Sequence, residues 1–91
     1  MNRNLLLTGG NGFIGKNIKL SLEKDGWIVY SPTSSEVNLL EINEVETLFS
    51  NRSYYAIIHS AIYGRKNYQS DSSIIFRNNV LMFNNLYKFI D

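Results

Sequence analysis

The chain has 91 residues, enough for one small folded domain and too few for a two-domain enzyme. Its hydrophobic content of 44% and aromatic content of 13% are typical of a packed core and argue against a disordered segment. Nine basic and eight acidic residues give a formal net charge of +1, which offers no electrostatic basis for binding nucleic acid or an anionic membrane.

The sequence contains no cysteine, which excludes disulfides, thiolate nucleophiles and cysteine-ligated metal sites together. No apolar run approaches the ~20 residues of a membrane span, and the run that follows the N-terminus is too short for a signal-peptide core. We therefore expect one domain over residues 1–91, soluble and cytoplasmic, with no metal site and no membrane contact.

The first part of the chain predicts a strand, a helix and a second strand. Residues 4–8 form a short apolar run that stops at two glycines, as a buried strand does before a tight turn. From Phe13 onward, apolar residues recur at helical spacing until Asp25 and Gly26 stop the helix. Residues 27–30 are β-branched or aromatic and predict the second strand. Two strands joined by a helix in this way are parallel, which predicts an α/β sheet.

The rest of the chain predicts two more helices around a third strand. Residues 37–40 add at most a very short extended piece, and Asn43 is expected to cap a helix over residues 44–50. Residues 55–60 are nearly continuously apolar, as expected for a strand buried on both faces. After a loop, apolar residues mark a long helix from residue 71 or 72 to the C-terminus.

The residues with the clearest chemistry lie between the first strand and the first helix. Gly9 permits a sharp turn, Gly12 leaves room for a pyrophosphate, and Gly15 lets the helix pack closely. The N–H groups at the helix start, at the positive end of its dipole, would face the phosphates. In a strand-helix-strand context this spacing predicts dinucleotide binding. The residues of this glycine loop are Thr8, Gly9, Gly10, Asn11, Gly12, Phe13, Ile14 and Gly15.

Two other interpretations of the glycine loop are weaker. One is a simple glycine turn before a helix, with no ligand. The other is a P-loop, since residues 10–17 read Gly-x-x-x-x-Gly-Lys-Asn. Asn17 stands where a P-loop needs Ser or Thr to reach Mg²⁺, and Phe13 and Ile14 would place bulky apolar groups in the phosphate cradle.

Four segments of the chain resemble one known family. They are Thr-Gly-Gly-x-Gly-Phe-Ile-Gly in the glycine loop, Ser-Glu-Val-Asn-Leu-Leu at residues 35–40, Ile-Ile-His-Ser-Ala at residues 57–61 and Phe-Arg-Asn-Asn-Val at residues 76–80. These segments resemble the extended short-chain dehydrogenases, the NAD-dependent epimerase/dehydratase family of nucleotide-sugar enzymes, and within it the GDP-L-fucose synthase branch. The resemblance implies a Rossmann-type parallel sheet of three to four strands with flanking helices, in the order 3-2-1-4 if complete.

The resemblance also implies cofactor contacts beyond the glycine loop. They fall in the loop after the second strand, at the adenine edge and at the end of the third strand. The residues concerned are Ser31, Ser34, Asn38, Leu39, Ser60 and Ala61. For Asn38 and Leu39, capping of the loop is the alternative to adenine contact.

The choice between NAD and NADP stays open at this point. An acid at the end of the second strand would favour NAD, and a basic residue there would favour the 2′-phosphate of NADP. Residues 30–35 supply neither. The resembling branch usually has arginines in this loop and one in the glycine loop, and the matching positions here hold Pro32, Ser34 and Asn11. The missing acid favours NADP, and Glu36 is interpreted as a solvated loop residue.

Several other side chains have structural interpretations. His59 is expected to be a hydrogen-bonded structural imidazole rather than a catalytic group. Arg65 and Lys66 are interpreted as a solvated pair, with contact to a nucleotide-sugar phosphate as the alternative. An apolar set in the last helix is interpreted as core rather than as a ligand box: Phe76, Met82, Phe83 and Phe89.

The chain carries no catalytic residue of the kind that the resemblance implies. Family members use a Tyr-x-x-x-Lys pair as general acid/base, and none of the six tyrosines here has Lys four positions later. We therefore expect the NAD(P)-binding portion of a nucleotide-sugar epimerase, dehydratase or reductase, truncated before the catalytic half and without activity of its own. The alternatives are a dinucleotide-binding module completed by a partner chain at an exposed sheet edge, and an inactive truncated gene product.

Overall fold

The computed structural model describes residues 2–50, 52–62 and 72–90. The predicted loop at residues 63–70, with Arg65 and Lys66, lies outside the described residues. Strands and helices alternate along the chain as β1 (Asn4–Thr8), α1 (Phe13–Lys24), β2 (Ile28–Tyr30), α2 (Ile42–Phe49), β3 (Ala56–His59) and α3 (Ser72–Tyr87).

The three strands form one parallel sheet in the order β2-β1-β3. Leu6, at the centre of β1, lies opposite Tyr30 of β2 and Ile57 of β3. Each pair of successive strands is joined by a helix, as parallel strands require. The predicted Rossmann-type sheet is therefore confirmed in its three-stranded form, with β1 at its centre.

The loop after β2 and the start of α2 differ from the predictions. No described strand includes residues 37–40, because side-chain oxygens take the N–H groups that a ladder would need. The Asn38 N–H donates to Glu44 Oε1 at 3.0 Å, and the Leu40 N–H donates to Asn38 Oδ1 at 3.0 Å. Helix α2 starts at Ile42, so the cap residue is Glu41 and the predicted cap at Asn43 is wrong.

The core lies around β1 and on the side of the sheet that α2 and α3 cover. Leu6 is fully buried and belongs to one cluster with Val45 and Leu48 of α2 and Met82 and Leu86 of α3. Burial of each such side chain contributes about 2 kcal/mol. Because side chains alternate along a strand, the neighbours of Leu6 face the opposite side, where α1 packs against β1 and β2.

The aromatic residues of the last helix are only partly in the core. Met82 is buried and Phe89 is partly buried against the core, as expected. Phe76 and Phe83 are 72% and 52% exposed, because α3 turns the face that carries Leu86 toward the sheet. The expectation that all of these aromatic residues belong to the core is therefore wrong for Phe76 and Phe83.

Within the described parts of the chain, every helix is too short or too polar to cross a membrane.

Candidate functional site

Gly9 makes the turn from β1 into the glycine loop. It has a φ of 74°, in the left-handed region that side chains rarely adopt. A Cβ atom on Gly9 would lie 2.6 Å from the backbone nitrogen of Ala61. Its carbonyl accepts the N–H of Gly12 at 3.1 Å and closes the turn. Both conformation and space therefore require glycine here, as the sequence predicts.

Two further glycines let the loop pack against its surroundings. A Cβ atom on Gly10 would lie 1.8 Å from Ser31 Oγ, so the loop is pressed against the end of β2. A Cβ atom on Gly15 would lie 2.0 Å from the carbonyl oxygen of Gly9. Gly15 thus brings α1 close to the turn itself, and Gly10 has a packing role that its sequence position alone did not indicate.

The first turn of α1 presents backbone donors outward. Gly12 is the N-cap residue, with φ −74° and ψ 167° and no side-chain capping bond. The first backbone bond into the helix runs from the Lys16 N–H to the Gly12 carbonyl at 2.9 Å. The N–H groups of residues 13–15 consequently have no partner within the helix. Together with the helix dipole, these donors form a site suited to phosphate.

The side chains around this first turn leave it accessible. Asn11 is exposed at the tip of the glycine loop. Phe13 and Ile14 are 75% and 63% exposed, so neither side chain fills the space in front of the helix start. The predicted phosphate-facing residues therefore lie at one accessible end of α1.

Thr8 joins the end of β1 to the end of β3. Its side-chain oxygen accepts the N–H groups of Ser60 at 3.1 Å and Ala61 at 3.2 Å, and lies 2.5 Å from His59 Nδ1. Ser60 Oγ donates to the Thr8 carbonyl at 2.6 Å. Burial lowers the pKa of His59. His59 is thus hydrogen-bonded, as predicted, and the sequence did not indicate that its partner is Thr8.

The loop after β2 carries the predicted ribose-side residues. Ser31 lies against Gly10, whereas Ser34 is exposed in a turn. The Glu36 carboxylate accepts the Thr33 N–H at 2.8 Å. Hydrogen bonds from the Thr33 backbone and then its side chain lower the pKa of Glu36. Glu36 is exposed, as predicted, and it also caps this turn.

Asn38 and Leu39 have structural contacts of their own. Asn38 Oδ1 accepts the Leu40 N–H, which is the loop-capping alternative noted above. The Leu39 side chain is buried in the core, so only its backbone can face a ligand. Asn85 is itself buried and its Nδ2 donates to the Leu39 carbonyl at 2.8 Å. Sequence reasoning missed this contact; the available signal was that Asn85 lies on the helical face that also carries Met82 and Leu86.

The structure thus gathers one group of predicted residues at the carboxyl ends of the strands. The glycine loop lies between Ser31 at the end of β2 and the pair Ser60 and Ala61 at the end of β3. Ser34 and Asn38 lie farther along the loop after β2. The arrangement provides backbone donors and small side chains where parallel α/β sheets bind ligands. In the part of the chain that the structure describes, no cluster of His, Asp and Glu could hold a metal ion.

A family model and two curated relatives match this chain. The model of the RmlD substrate binding domain matches residues 3–72. GDP-L-fucose synthase of Azorhizobium caulinodans is 30% identical over 59 residues, which are 65% of this chain and 19% of that protein. GDP-L-colitose synthase of Yersinia pseudotuberculosis is 35% identical over 57 residues, which are 63% of this chain and 18% of that protein.

A solved structure shares the fold. It is the dTDP-4-dehydrorhamnose reductase from Bacillus anthracis in complex with NADP, which superposes with a TM-score of 0.79 at 21% identity. The superposition covers 94% of this chain and 31% of that one. The chain therefore spans about a fifth of the length of its curated relatives and less than a third of this reductase.

Proposed function

The chain belongs to the RmlD substrate binding domain family, and we propose that it is the NAD(P)-binding portion of a nucleotide-sugar reductase or epimerase. The observation that carries this proposal is the glycine loop. It is pressed between the ends of β2 and β3, and the uncapped N–H groups of residues 13–15 project from it. A dinucleotide, when bound, supplies hydride chemistry, and the residues of this chain hold and orient it.

Each part of the site has a distinct task in this proposal. The N–H groups of residues 13–15 bind the pyrophosphate, because they are donors at the positive end of a helix. Ser31 and Ser34 lie on the adenosine-ribose side, and Asn38 and the Leu39 backbone lie toward the adenine. Ser60 and Ala61 form a surface of small side chains over which the other half of the cofactor can lie.

We propose that NADP is preferred to NAD. The solved reductase that resembles this chain is described in complex with NADP. No acidic side chain stands at the end of β2, and Glu36 is already engaged by Thr33. Hydroxyl groups such as those of Ser31 and Ser34 bond a phosphate without neutralising it, so the expected preference for NADP is modest.

The first test is a thermal titration of the full chain with NADPH and with NADH. A ligand of the folded state stabilises it by about 2.7 kcal/mol at a hundred times its Kd. We expect a rise in melting temperature with both dinucleotides and a larger rise with NADPH. Absence of any rise at millimolar dinucleotide would contradict the proposal and support an inactive gene product.

Gly12→Asp separates binding from folding. The backbone of Gly12 is extended, and Asp is a favourable N-cap, so the variant should be at least as stable as the wild type. Its carboxylate would stand in front of residues 13–15 and repel a pyrophosphate. We expect loss of the dinucleotide-dependent rise in melting temperature. Asn43→Asp, with the same charge change at an exposed position of α2, should bind as the wild type does.

We further propose that the 91-residue chain binds a dinucleotide without catalysing a reaction by itself. Support comes from its tyrosines, none of which has Lys four positions later. The test is a spectrophotometric assay of NADPH oxidation with a GDP-4-keto-6-deoxy sugar. Turnover by the purified chain would contradict this part of the proposal, while leaving dinucleotide binding intact.

A second candidate is a dinucleotide-binding module completed by a partner chain. β3 pairs only with β1 among the described strands, so its other edge is open. Phe13 and Ile14 on α1 and Phe76 and Phe83 on α3 are exposed. Strand edges and apolar surfaces of this kind favour association. A stable monodisperse monomer in sedimentation velocity would count against this candidate.

A further inference from the structure

His59 and Thr8 form a hydrogen bond whose direction follows from the neighbouring bonds. The Thr8 hydroxyl oxygen accepts the Ala61 N–H at 3.2 Å and shares the Ser60 N–H with the Thr8 carbonyl oxygen, each at 3.1 Å, so two donors already face the lone pairs of the hydroxyl. The hydroxyl proton is then the only group left for His59 Nδ1, which lies 2.5 Å away. Nδ1 must therefore be the acceptor. A proton on Nδ1 would place a third donor against the Thr8 oxygen and leave the Thr8 hydroxyl proton without an acceptor.

This bond acts on the residue that starts the glycine loop. Thr8 is followed directly by Gly9, where an added Cβ atom would meet the backbone of Ser60 and Ala61. The Gly9 carbonyl in turn accepts the Gly12 N–H and contacts Gly15 at the start of α1. A rotation of the Thr8 side chain would release the Ala61 N–H, leave the Ser60 N–H with the Thr8 carbonyl alone, and so loosen the backbone of Ala61 against Gly9.

We propose that His59, as the neutral tautomer protonated on Nε2, positions the glycine loop for a dinucleotide through Thr8. The inference rests on the proposed function, because the loop is taken as the pyrophosphate site. His59 is a positioning residue in this proposal: it acts through Thr8 and does not touch the cofactor.

The tautomer is tested without any ligand. Nitrogen-15 NMR of the full chain distinguishes a protonated from an unprotonated ring nitrogen, so it reads both positions of His59 directly. We expect a neutral ring near pH 7.5 with the proton on Nε2. A proton on Nδ1 would overturn the proposal.

The positioning role is tested by dinucleotide affinity of matched variants. His59→Asn keeps an acceptor near the Nδ1 position, whereas His59→Leu removes it. Val45→Ala removes two methyl groups from the buried core cluster and has no part in the Thr8–His59 bond, so it controls for loss of stability alone. By calorimetry with NADPH, we expect Kd to rise about tenfold for His59→Leu, because the variant loses one hydrogen bond between neutral groups. His59→Asn and Val45→Ala should stay within about threefold of the wild type.

The outcomes separate the inference from the proposed function. If the wild type binds NADPH and His59→Leu binds equally well, or weakens only as much as Val45→Ala, the positioning role is wrong. Failure of His59→Asn to retain affinity would also overturn it. If the wild type binds no dinucleotide, the proposed function fails and the positioning role fails with it, whatever tautomer NMR finds.

Discussion

The glycine loop and the loop after β2 differ in how they are held. The glycine loop is held by close packing: a Cβ atom would meet backbone atoms at Gly9 and Gly15 and the Ser31 side chain at Gly10. The loop after β2 is held mainly by side chains, including the carboxylate of Glu36 and the amide of Asn38. Substitution of Gly9, Gly10 or Gly15 should therefore disrupt the fold, whereas substitution in the loop after β2 can change ligand preference with little loss of stability.

Gly9→Ala is expected to have the largest effect. The variant combines a left-handed backbone with a Cβ atom 2.6 Å from Ala61 N. We expect it to lose at least about 4 kcal/mol of unfolding free energy, measured by urea denaturation. Gly26→Ala is the matched control. It has a φ of 90°, but its Cβ atom would lie at ordinary contact distance, 3.4 Å, from the Arg3 guanidinium. That variant should lose about 1 kcal/mol, and equal losses would show that close packing does not distinguish the glycine loop.

Asn85→Asp removes the buried bond that ties the loop after β2 to α3. The substitution keeps the shape of the side chain but replaces the donor to the Leu39 carbonyl with a carboxylate. We expect a loss of about 2 kcal/mol of unfolding free energy at neutral pH. Asn84→Asp, at the exposed neighbouring position, should change it by less than about 0.5 kcal/mol. A similar result for both variants would mean that this bond does not anchor the loop.

Acid should lower the free energy of unfolding through His59, which is bonded to Thr8 beside the glycine loop. Burial lowers the pKa of His59 from its ordinary value of 6.5. As the pH falls below 6.5, the unfolded chain therefore takes up a proton that the folded chain resists, and stability declines until the lowered folded pKa is passed. Above pH 6.5 this residue contributes no pH dependence.

We therefore expect the free energy of unfolding, measured in urea, to fall between pH 7.5 and 5.5. His59→Asn cannot titrate in this range and serves as the control. Subtraction of its pH profile from that of the wild type isolates the contribution of His59. A difference that is flat across this range would contradict the expectation.

Ser34→Arg should have the smallest effect on stability and a clear effect on ligand choice. Ser34 is exposed, so the free energy of unfolding should change by less than about 0.5 kcal/mol. The added guanidinium can pair with a 2′-phosphate, and we expect the ratio of NADPH to NADH affinity to rise about tenfold in calorimetry. Ser50→Arg, beyond the end of α2, is the charge-matched control. If both variants raised the ratio equally, Ser34 would have no special place near the ribose.

Much of the fold could be predicted because its signals are local. The three strands, three helices and the stop of α1 at Asp25 and Gly26 follow from apolar periodicity and turn residues. The resemblance to GDP-L-fucose synthases is confirmed by the relatives. The cap at Asn43 and the inward placement of Phe76 and Phe83 were wrong. The cap is Glu41 because its carbonyl accepts the Val45 N–H. The buried face of α3 depends on how the helix is rotated about its axis when it packs on the core.

The sequence by itself determined the order of the elements and the place of the glycine loop, because glycine spacing and apolar periodicity act over a few neighbouring residues. Only the tertiary structure decided the partners that meet across the sheet. Thr8 and His59 are 51 residues apart, and Leu39 and Asn85 are 46 apart. These pairs meet because of the register of β1 with β3 and the packing of α3, and neither is encoded by any local pattern of residues.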